Sequence, residues 1–350
     1  MVTESDASTD PAVTTPHPNL KRLLSMVKGK KVSLITHWDA DGVTSGALIY
    51  HLIKDVASEV HTSSKGDVFL VKTEDVEDDS DIIIATDITP SDDLPADKVV
   101  YIDHHPHPDA DRFGFSIHNP DCQSTSLLIW EQLIPTTTNP YFLFLSLLGY
   151  FGDIGKREEI PIELWERANE LIPEMLVEKK SRYRSGTYLE IERFVPPLNT
   201  GKRWHWSGDL PLEMLKNIRH HKLFVDAIHP IADQLNQYRT GLARLYRMSI
   251  DVKQLQKIDY AQISSNRNIQ GVLCARYMKV KPIMVLNKFN GSVIGSMRVP
   301  DETEFDAGDF LNQFNDRIPS FLGGGHEKAG GFTFDSEHVD HFIEELEKVG

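Results

Sequence analysis

The chain has 350 residues, 40% of them hydrophobic and 25% charged, a composition that supports a core of ordinary size in one large or two ordinary domains. A formal net charge of −15 excludes an extensive duplex-DNA footprint, which needs many cations against phosphates, but leaves room for a short or single-stranded substrate. The two cysteines, Cys122 and Cys274, have no near partner in sequence, which excludes a disulfide framework or a Cys-based zinc site and points to a reducing, cytoplasmic compartment.

The first 17 residues are polar and rich in Ser, Thr, Asp and Pro. They lack the basic start and apolar stretch of a secretory signal, and a disordered tail is expected there. A short helix is expected from Pro18 to Lys28. Lys31 to Thr36 (KVSLIT) then reads as a buried strand that runs into His37-Trp38-Asp39-Ala40-Asp41-Gly42. Apolar residues at helical spacing (Val43, Ala47, Leu48, Leu52, Ile53, Val56) make Val43 to Val56 a helix. Further strands are expected at Val68 to Val71, Asp81 to Thr86 and Lys98 to Ile102. The last two finish at Asp87 and at Asp103-His104-His105, and parallel α/β sheets carry their functional groups at such carboxyl ends.

Ser124 to Leu133 and Tyr141 to Phe151 read as buried helices, the second delivering Gly152-Asp153. The latter is the longest apolar run, broken by Ser146 and Gly149, and falls far short of the ~20 residues needed to span a bilayer. Ile162 to Lys180 is expected to be helical, with a polar, aromatic and basic stretch from Ser181 to Gly208. Within and beside it, Lys179, Lys180, Arg182, Tyr183, Arg184 and then Lys202, Arg203, Trp204, His205, Trp206 mix cations with aromatics, as single-strand grips do. The competing reading is a solvated helix end plus core tryptophans. A first domain over 18–209, a helical connector over 210–247 and a second domain over 248–350 follow. The second domain carries strand-like runs at Gly271 to Tyr277, Ile283 to Lys288 and Ser292 to Val299. It closes with a glycine turn, Gly323-Gly324-Gly325-His326, and a helix over Glu337 to Lys348.

The chemistry sits in the acids and histidines at these element ends. His37, Asp39 and Asp41 alternate, so in extended chain they point to one face. With Asp87, Asp103, His104, His105 and Asp153 they form a set of five carboxylates and three imidazoles. Such ligands without thiolates suit Mn²⁺, Mg²⁺, Fe²⁺ or Zn²⁺. So many acids in one place repel one another without cations, and two metals about 3.5–4 Å apart are the natural occupants. Alone, Asp87 or Asp153 reads as a turn or cap residue; the joint occurrence carries the argument. His220-His221 is expected on a solvated helix face.

HWDADG at 37–42, Asp87 after an apolar strand, DHH at 103–105 and Asp153 in GYFGDIG together resemble, in order and rough spacing, the four motifs of the DHH phosphoesterases. His118-Asn119-Pro120 and Ser124-Thr125 resemble the stretch that follows DHH. GGGH at 323–326, with Ser296-Met297-Arg298 upstream, resembles the DHH-associated C-terminal domain. The resemblance covers about residues 20–345. It implies an α/β fold: a parallel-sheet DHH domain plus a smaller α/β C-terminal domain, with the active site in the cleft between them. It further implies that His37 and Asp39 bind one cation, that Asp41, His104 and Asp153 bind the other, and that Asp87 bridges both. Asp103 then orients an imidazole, and His105 meets the substrate phosphate or leaving oxygen. Arg298, Gly323, Gly324, Gly325 and His326 become the substrate-binding positions.

The implied activity is a two-metal phosphodiesterase, with Mn²⁺ as the cation and Mg²⁺ as its alternate. Its implied substrate is single-stranded DNA or RNA, or short oligonucleotides, attacked as by an exonuclease. A cyclic-dinucleotide or pAp-type phosphatase is the alternative enzyme. A replication or repair subunit binding a helicase-associated partner is the alternative outside enzymology. No membrane partner is expected.

Overall fold

The computed structural model describes residues 16–66, 70–153, 155–180 and 186–350. The tail expected over the first 17 residues therefore lies almost wholly outside the described residues, as do Arg182, Tyr183, Arg184 and the start of the strand expected at Val68. Two compact units emerge. Residues 16–64, Leu70–Leu198 and Asp209–Ala232 build the first; residues 65–66, Asn199–Gly208 and Asp233–Gly350 build the second. The segment expected as a connector over 210–247 is thus shared between them.

The first unit opens with helix α1 (Pro18–Val27), strand β1 (Lys31–His37), helix α2 (Ala40–Ile53) and strand β2 (Glu59–Lys65). Two-residue strands β3 (Leu70–Val71) and β5 (Thr89–Pro90) pair with each other on either side of β4 (Ile82–Thr86). β6 (Val99–Asp103) and β7 (Phe115–His118) follow, then helices α3 (Thr125–Leu133), α4 (Pro140–Asp153) and α5 (Ile162–Leu171). A five-stranded sheet forms in the order β2-β1-β4-β6-β7, with β1, β4, β6 and β7 mutually parallel. β4 and β6 are buried at every residue, which is why they read as unbroken apolar runs rather than as alternating ones. β7 was not apparent in the sequence, because FSIH alternates and has half of its side chains partly exposed.

The helix expected from Ile162 to Lys180 stops at Leu171. Pro173 lacks the N–H a continuing helix needs, and the chain turns into a short hairpin, β8 (Glu178–Lys180) against β9 (Thr187–Leu189). Short helices α6 (Val195–Leu198) and α7 (Thr200–His205), then α8 (Asp209–Asn217), α9 (Lys222–Val225) and α10 (Pro230–Leu245), complete the middle of the chain. His221 does not lie on a solvated face. It is buried, stacks on Phe144 with ring centroids 5.4 Å apart, and its Nε2 sits 2.9 Å from Glu174 Oε1.

The second unit is a six-stranded sheet in the order β10 (Val252–Gln254), β11 (Asp259–Ile263), β12 (Ile283–Phe289), β13 (Ser292–Arg298), β15 (Ala329–Asp335), β14 (Leu322–His326). Within it only the β11–β12 pair is parallel. Strict alternation of burial along β13 and β15 separates two apolar faces. Phe314, Phe321, Phe332, Phe334 and Phe342 pack on one, beneath α12 (Ala307–Asn312) and α13 (Val339–Val349). Ile263, Leu273, Cys274 and Val285 pack on the other.

Two expectations fail here. Gly271 to Tyr277 is not a strand but most of helix α11 (Gln270–Tyr277), since Ile269, Leu273, Cys274 and Tyr277 form a helical stripe against the sheet. Gly323 to His326 is not a turn but edge strand β14, with Gly324 opposite Gly331 and His326 opposite Ala329. The glycines suit this edge for packing reasons. A Cβ on Gly323 would sit 2.5 Å from the Phe321 ring, and Gly325, at φ +146°, would meet the Ala329 carbonyl at 2.4 Å.

Candidate active site

The carboxyl ends of β1, β4 and β6 and the N-termini of α2 and α3 meet in the first unit. Asp39 caps α2, its Oδ1 accepting the Gly42 N–H at 3.1 Å. The cap starts the helix at Ala40, so Asp41 lies in the first helical turn. The alternating extended geometry expected for His37, Asp39 and Asp41 does not persist, and Asp41 groups with His104 and Asp153 instead. Gly42 is required by this turn: a Cβ there would lie 2.2 Å from the His37 carbonyl oxygen.

The expected residues come together as two groups. His37 Nδ1 lies 3.0 Å from Asp39 Oδ1 and 3.7 Å from Asp87 Oδ2. His104 Nε2 lies 3.0 Å from Asp153 Oδ2 and 3.8 Å from Asp87 Oδ1. Ligand-type atoms of His37, Asp39 and Asp87 all fall within 4.8 Å of one another, and so do those of Asp41, His104 and Asp153. The two oxygens of Asp87 thus face one group each. Asp87 is 4% exposed, and its backbone has φ 61°, in the left-handed region that Asp tolerates better than most residues.

Asp41 is fully buried at the N-terminus of α3, where Thr125 N–H donates to its Oδ2 at 2.6 Å and Ser126 N–H to its Oδ1 at 3.0 Å. Thr125 also donates its hydroxyl to Asp87 Oδ1 at 2.8 Å, tying the two carboxylates together. His104 Nδ1–H donates to the Cys122 carbonyl at 3.1 Å, which fixes the tautomer and turns Nε2 toward the acids. That Nε2 is buried and makes no aligned hydrogen bond. A buried imidazole lone pair among carboxylates fits a divalent cation.

His105 adjoins these groups: its Nδ1 lies 3.9 Å from Asp87 Oδ1, and ligand-type atoms of Asp87, Asp103, His104 and His105 also fall within 4.8 Å of one another. Asp103 Oδ1 accepts both the backbone N–H of His105, at 2.9 Å, and its ring Nδ1–H, at 2.8 Å. Tyr101 donates its hydroxyl to Asp103 Oδ2 at 3.1 Å, and His118 Nε2–H donates to the His105 carbonyl at 2.7 Å. His105 is much more exposed than His104, with 39% of its side chain accessible against 8%. Its ring is therefore the one open to an incoming ligand.

The electrostatics follow from burial and crowding. Burial, then repulsion from Asp153, pushes the Asp41 carboxyl up to about 6. Burial, then Asp41 and Asp39, raises Asp87 well above the carboxylate range. Burial alone would lower both imidazoles. Asp153, Asp87 and Asp41 outweigh it and raise His104 to about 10, while Asp103 and Asp87 raise His105 to about 9. Burial would raise Asp103, but its bonds to His105 hold it below its ordinary value.

No protein-family model matches the chain, and no curated protein does. Solved structures do match. RecJ from Thermus thermophilus in complex with Mn²⁺ superposes with a TM-score of 0.64 at 17% identity, over 97% of this chain and 56% of that one. This chain has the DHH fold. A RecJ exonuclease bound to manganese matches with a TM-score of 0.61 at 17% identity, over 97% of this chain and 96% of that one. A DHH domain from a protein described as a member of a family of ribosomal proteins matches at 0.59 and 17% identity, over 94% and 91%. The chain spans a little over half of the Thermus RecJ chain.

Around the DHH groups, sequence reasoning missed Tyr101, Thr125, Ser126 and the Cys122 carbonyl as partners of the acids and histidines. Ser124-Thr125-Ser126 carried a usable signal, a helix start rich in hydroxyls whose N–H groups suit an anion. In the second unit, Arg298 ends β13 with its Nη1 donating to the Met297 carbonyl at 2.8 Å. Arg298 and His326 lie opposite Ala329 from either side, so they share one end of the sheet. Trp204 is sandwiched, with Tyr238 stacked at 4.9 Å and the Arg267 guanidinium 4.1 Å from its ring. It is a packing residue, which the solvated-end reading anticipated in part. Trp206 stacks on Phe289 at 5.0 Å. Among the described residues no helix is long and apolar enough to cross a membrane.

Proposed function

We propose that the protein is a metal-dependent phosphodiesterase that hydrolyses single-stranded nucleic acid or short oligonucleotides from an end. The observation that carries the reading is Asp87 standing between two ligand groups, His37–Asp39 and Asp41–His104–Asp153, with one oxygen toward each. These six residues would hold two divalent cations, with Asp87 offering an oxygen to each group. When bound, the cations lower the pKa of water toward neutrality and stabilise charge on the phosphoryl oxygens. Mn²⁺ is the favoured ion, since structurally similar RecJ proteins are described with Mn²⁺, and one with Mg²⁺.

The protein's own residues orient the reaction. Thr125 and Ser126 hold Asp41, and Thr125 holds Asp87, so neither carboxylate has to reorganise when charge develops. Asp103 fixes the His105 ring through Nδ1, directing Nε2 to donate a proton or hydrogen bond to a phosphoryl or leaving oxygen. Tyr101 and His118 keep that pair in place. Arg298, Gly323, Gly324, Gly325 and His326 are carried as positions that hold a further part of the substrate, by their likeness to the DHH-associated domain. Two free, buried cysteines fit a reducing cytoplasm.

The test is Mn²⁺-dependent hydrolysis of a labelled single-stranded 20-mer and of bis-p-nitrophenyl phosphate by wild type, Asp87→Ala and Asp87→Asn. Loss of at least about 10²–10³-fold is expected for both variants. Asn tolerates the left-handed backbone, so Asp87→Asn separates lost chemistry from lost folding. Near-normal turnover by a folded Asp87→Asn variant would refute the site assignment.

A further inference from the structure

Charge in this acidic chain is segregated. Residues 199–208, 234–250 and 260–300 together contain eleven Lys and Arg and no Asp or Glu, while the whole chain has a net charge of −15. All three segments fold into the second unit. The first two, and the start of the third, pack around one aromatic cluster. Arg267 lies over Trp204, Trp204 stacks on Tyr238 of α10, and Gly241 lets α10 approach so closely that a Cβ would sit 2.8 Å from the Trp204 ring. On the same helix face Tyr246 carries a side-chain hydrogen bond from Arg203 and feels the charge of Arg239. Arg276 donates from Nη1 to the Tyr246 and Met248 carbonyls.

Among the described residues, Arg203, Arg239, Arg267 and Arg276 have no carboxylate within 4.0 Å. Other cations of the chain do pair, as Arg193 does with Glu190 and Lys348 with Glu345. Arg239 and Arg276 are exposed, and Arg203 and Arg267 are half-buried, anchored by aromatic rings and backbone carbonyls. Unpaired guanidinium groups held this way keep their planar donor forks for an external anion.

We propose that this arginine-rich face binds the phosphodiester backbone of single-stranded nucleic acid. Three anchored guanidinium groups, with the exposed Arg239 beside them, favour phosphate oxygens over a hydrated carboxylate surface, and a flexible single strand follows a patch too small for a duplex footprint. The inference deepens the proposed nuclease reading by adding a substrate-holding surface apart from the reacting groups.

The experiment measures binding of a fluorescein-labelled 20-mer of thymidine by the full chain in EDTA, from 50 to 300 mM salt, so that cleavage does not enter. Arg203→Gln/Arg239→Gln is expected to bind about tenfold more weakly at low salt. Its slope of log Kd against log salt should be shallower by about 1.4, roughly 0.7 for each lost phosphate contact. Arg239→Gln alone changes only an exposed helix residue and should lower the slope by about half that amount. Arg193→Gln/Lys348→Gln removes the same net charge elsewhere and should leave both quantities unchanged. Equal Kd and slope in wild type and the folded patch variants would overturn the proposal. So would equal losses in the Arg193/Lys348 control, or displacement of the 20-mer by polyglutamate as effective as by unlabelled 20-mer. Hydrolysis of bis-p-nitrophenyl phosphate by wild type with Mn²⁺ is read in parallel. Its failure would remove the nuclease reading and leave the binding result standing.

Discussion

Gly149 is the sharpest structural test of the site, because it touches neither substrate nor cation. It lies in α4, facing α2 and the start of α3. A Cβ built there would fall 2.3 Å from Ser126 Oγ, 2.3 Å from Thr44 Oγ1 and 2.6 Å from Asp41 Oδ1. None of these atoms can move at no cost. Ser126 Oγ bonds the Ser146 carbonyl, Thr44 Oγ1 the Ala40 carbonyl, and Asp41 Oδ1 the Ser126 N–H. Overpacking costs about 1–3 kcal/mol, and a buried polar group left unsatisfied costs about 1–3 kcal/mol more. Alanine's better helix propensity returns about 1 kcal/mol. The net expectation for Gly149→Ala is a loss of about 1–5 kcal/mol, a Tm drop on the order of 2–20 °C for a unit of this size. Asp41 should be displaced as well, so Mn²⁺ should stabilise the variant less than it stabilises wild type. Gly29→Ala is the comparison: it has a positive φ but open space around it, so only backbone strain of about 1 kcal/mol applies. Calorimetry of both variants with EDTA and with Mn²⁺ decides the matter. A Gly149→Ala protein within about 1 °C of wild type, with the full Mn²⁺ shift, would refute the packing argument.

His105→Ala should lower turnover yet leave two cations bound, since Asp103, not a cation, holds its Nδ1; a metal count falling from two to one by plasma emission would move His105 among the ligands. Cation binding should also be linked to pH. The raised Asp41 and Asp87 carboxyls and the raised His104 and His105 imidazoles all favour the protonated metal-free fold. Their stabilisation is present at low pH and is lost as pH rises through about 6 for Asp41 and through about 9 and 10 for the imidazoles. The Tm gap between Mn²⁺ and EDTA samples should therefore widen from pH 5.5 to 8.5; a constant gap in differential scanning fluorimetry would contradict it.

What the amino-acid sequence determined by itself was local and periodic. KVSLIT, DIIIAT and KVVYI are apolar on both faces, so they had to be covered strands of a parallel sheet, and the acids that end them had to lie at its carboxyl edge. His37, Asp39, Asp87 and His104 were legible for that reason, whereas Asp153 closes helix α4. Tertiary structure decided what pattern alone leaves open. A short, mostly apolar stretch such as 271–277 serves a helix or a strand equally well until it is known which residues a sheet covers, and Leu273 and Cys274 settled it as α11. A glycine run reads as a turn until a neighbouring strand takes up its N–H and C=O groups, as β15 does for β14. The partition of the acids into two groups about Asp87 depended on where α2 begins, which Asp39 sets by capping, and on the N–H groups of α3, distant in sequence, that hold Asp41. The gathering of Arg203, Arg239, Arg267 and Arg276 on one face likewise required three separate segments to fold together. Charge has no period to betray such a meeting in advance.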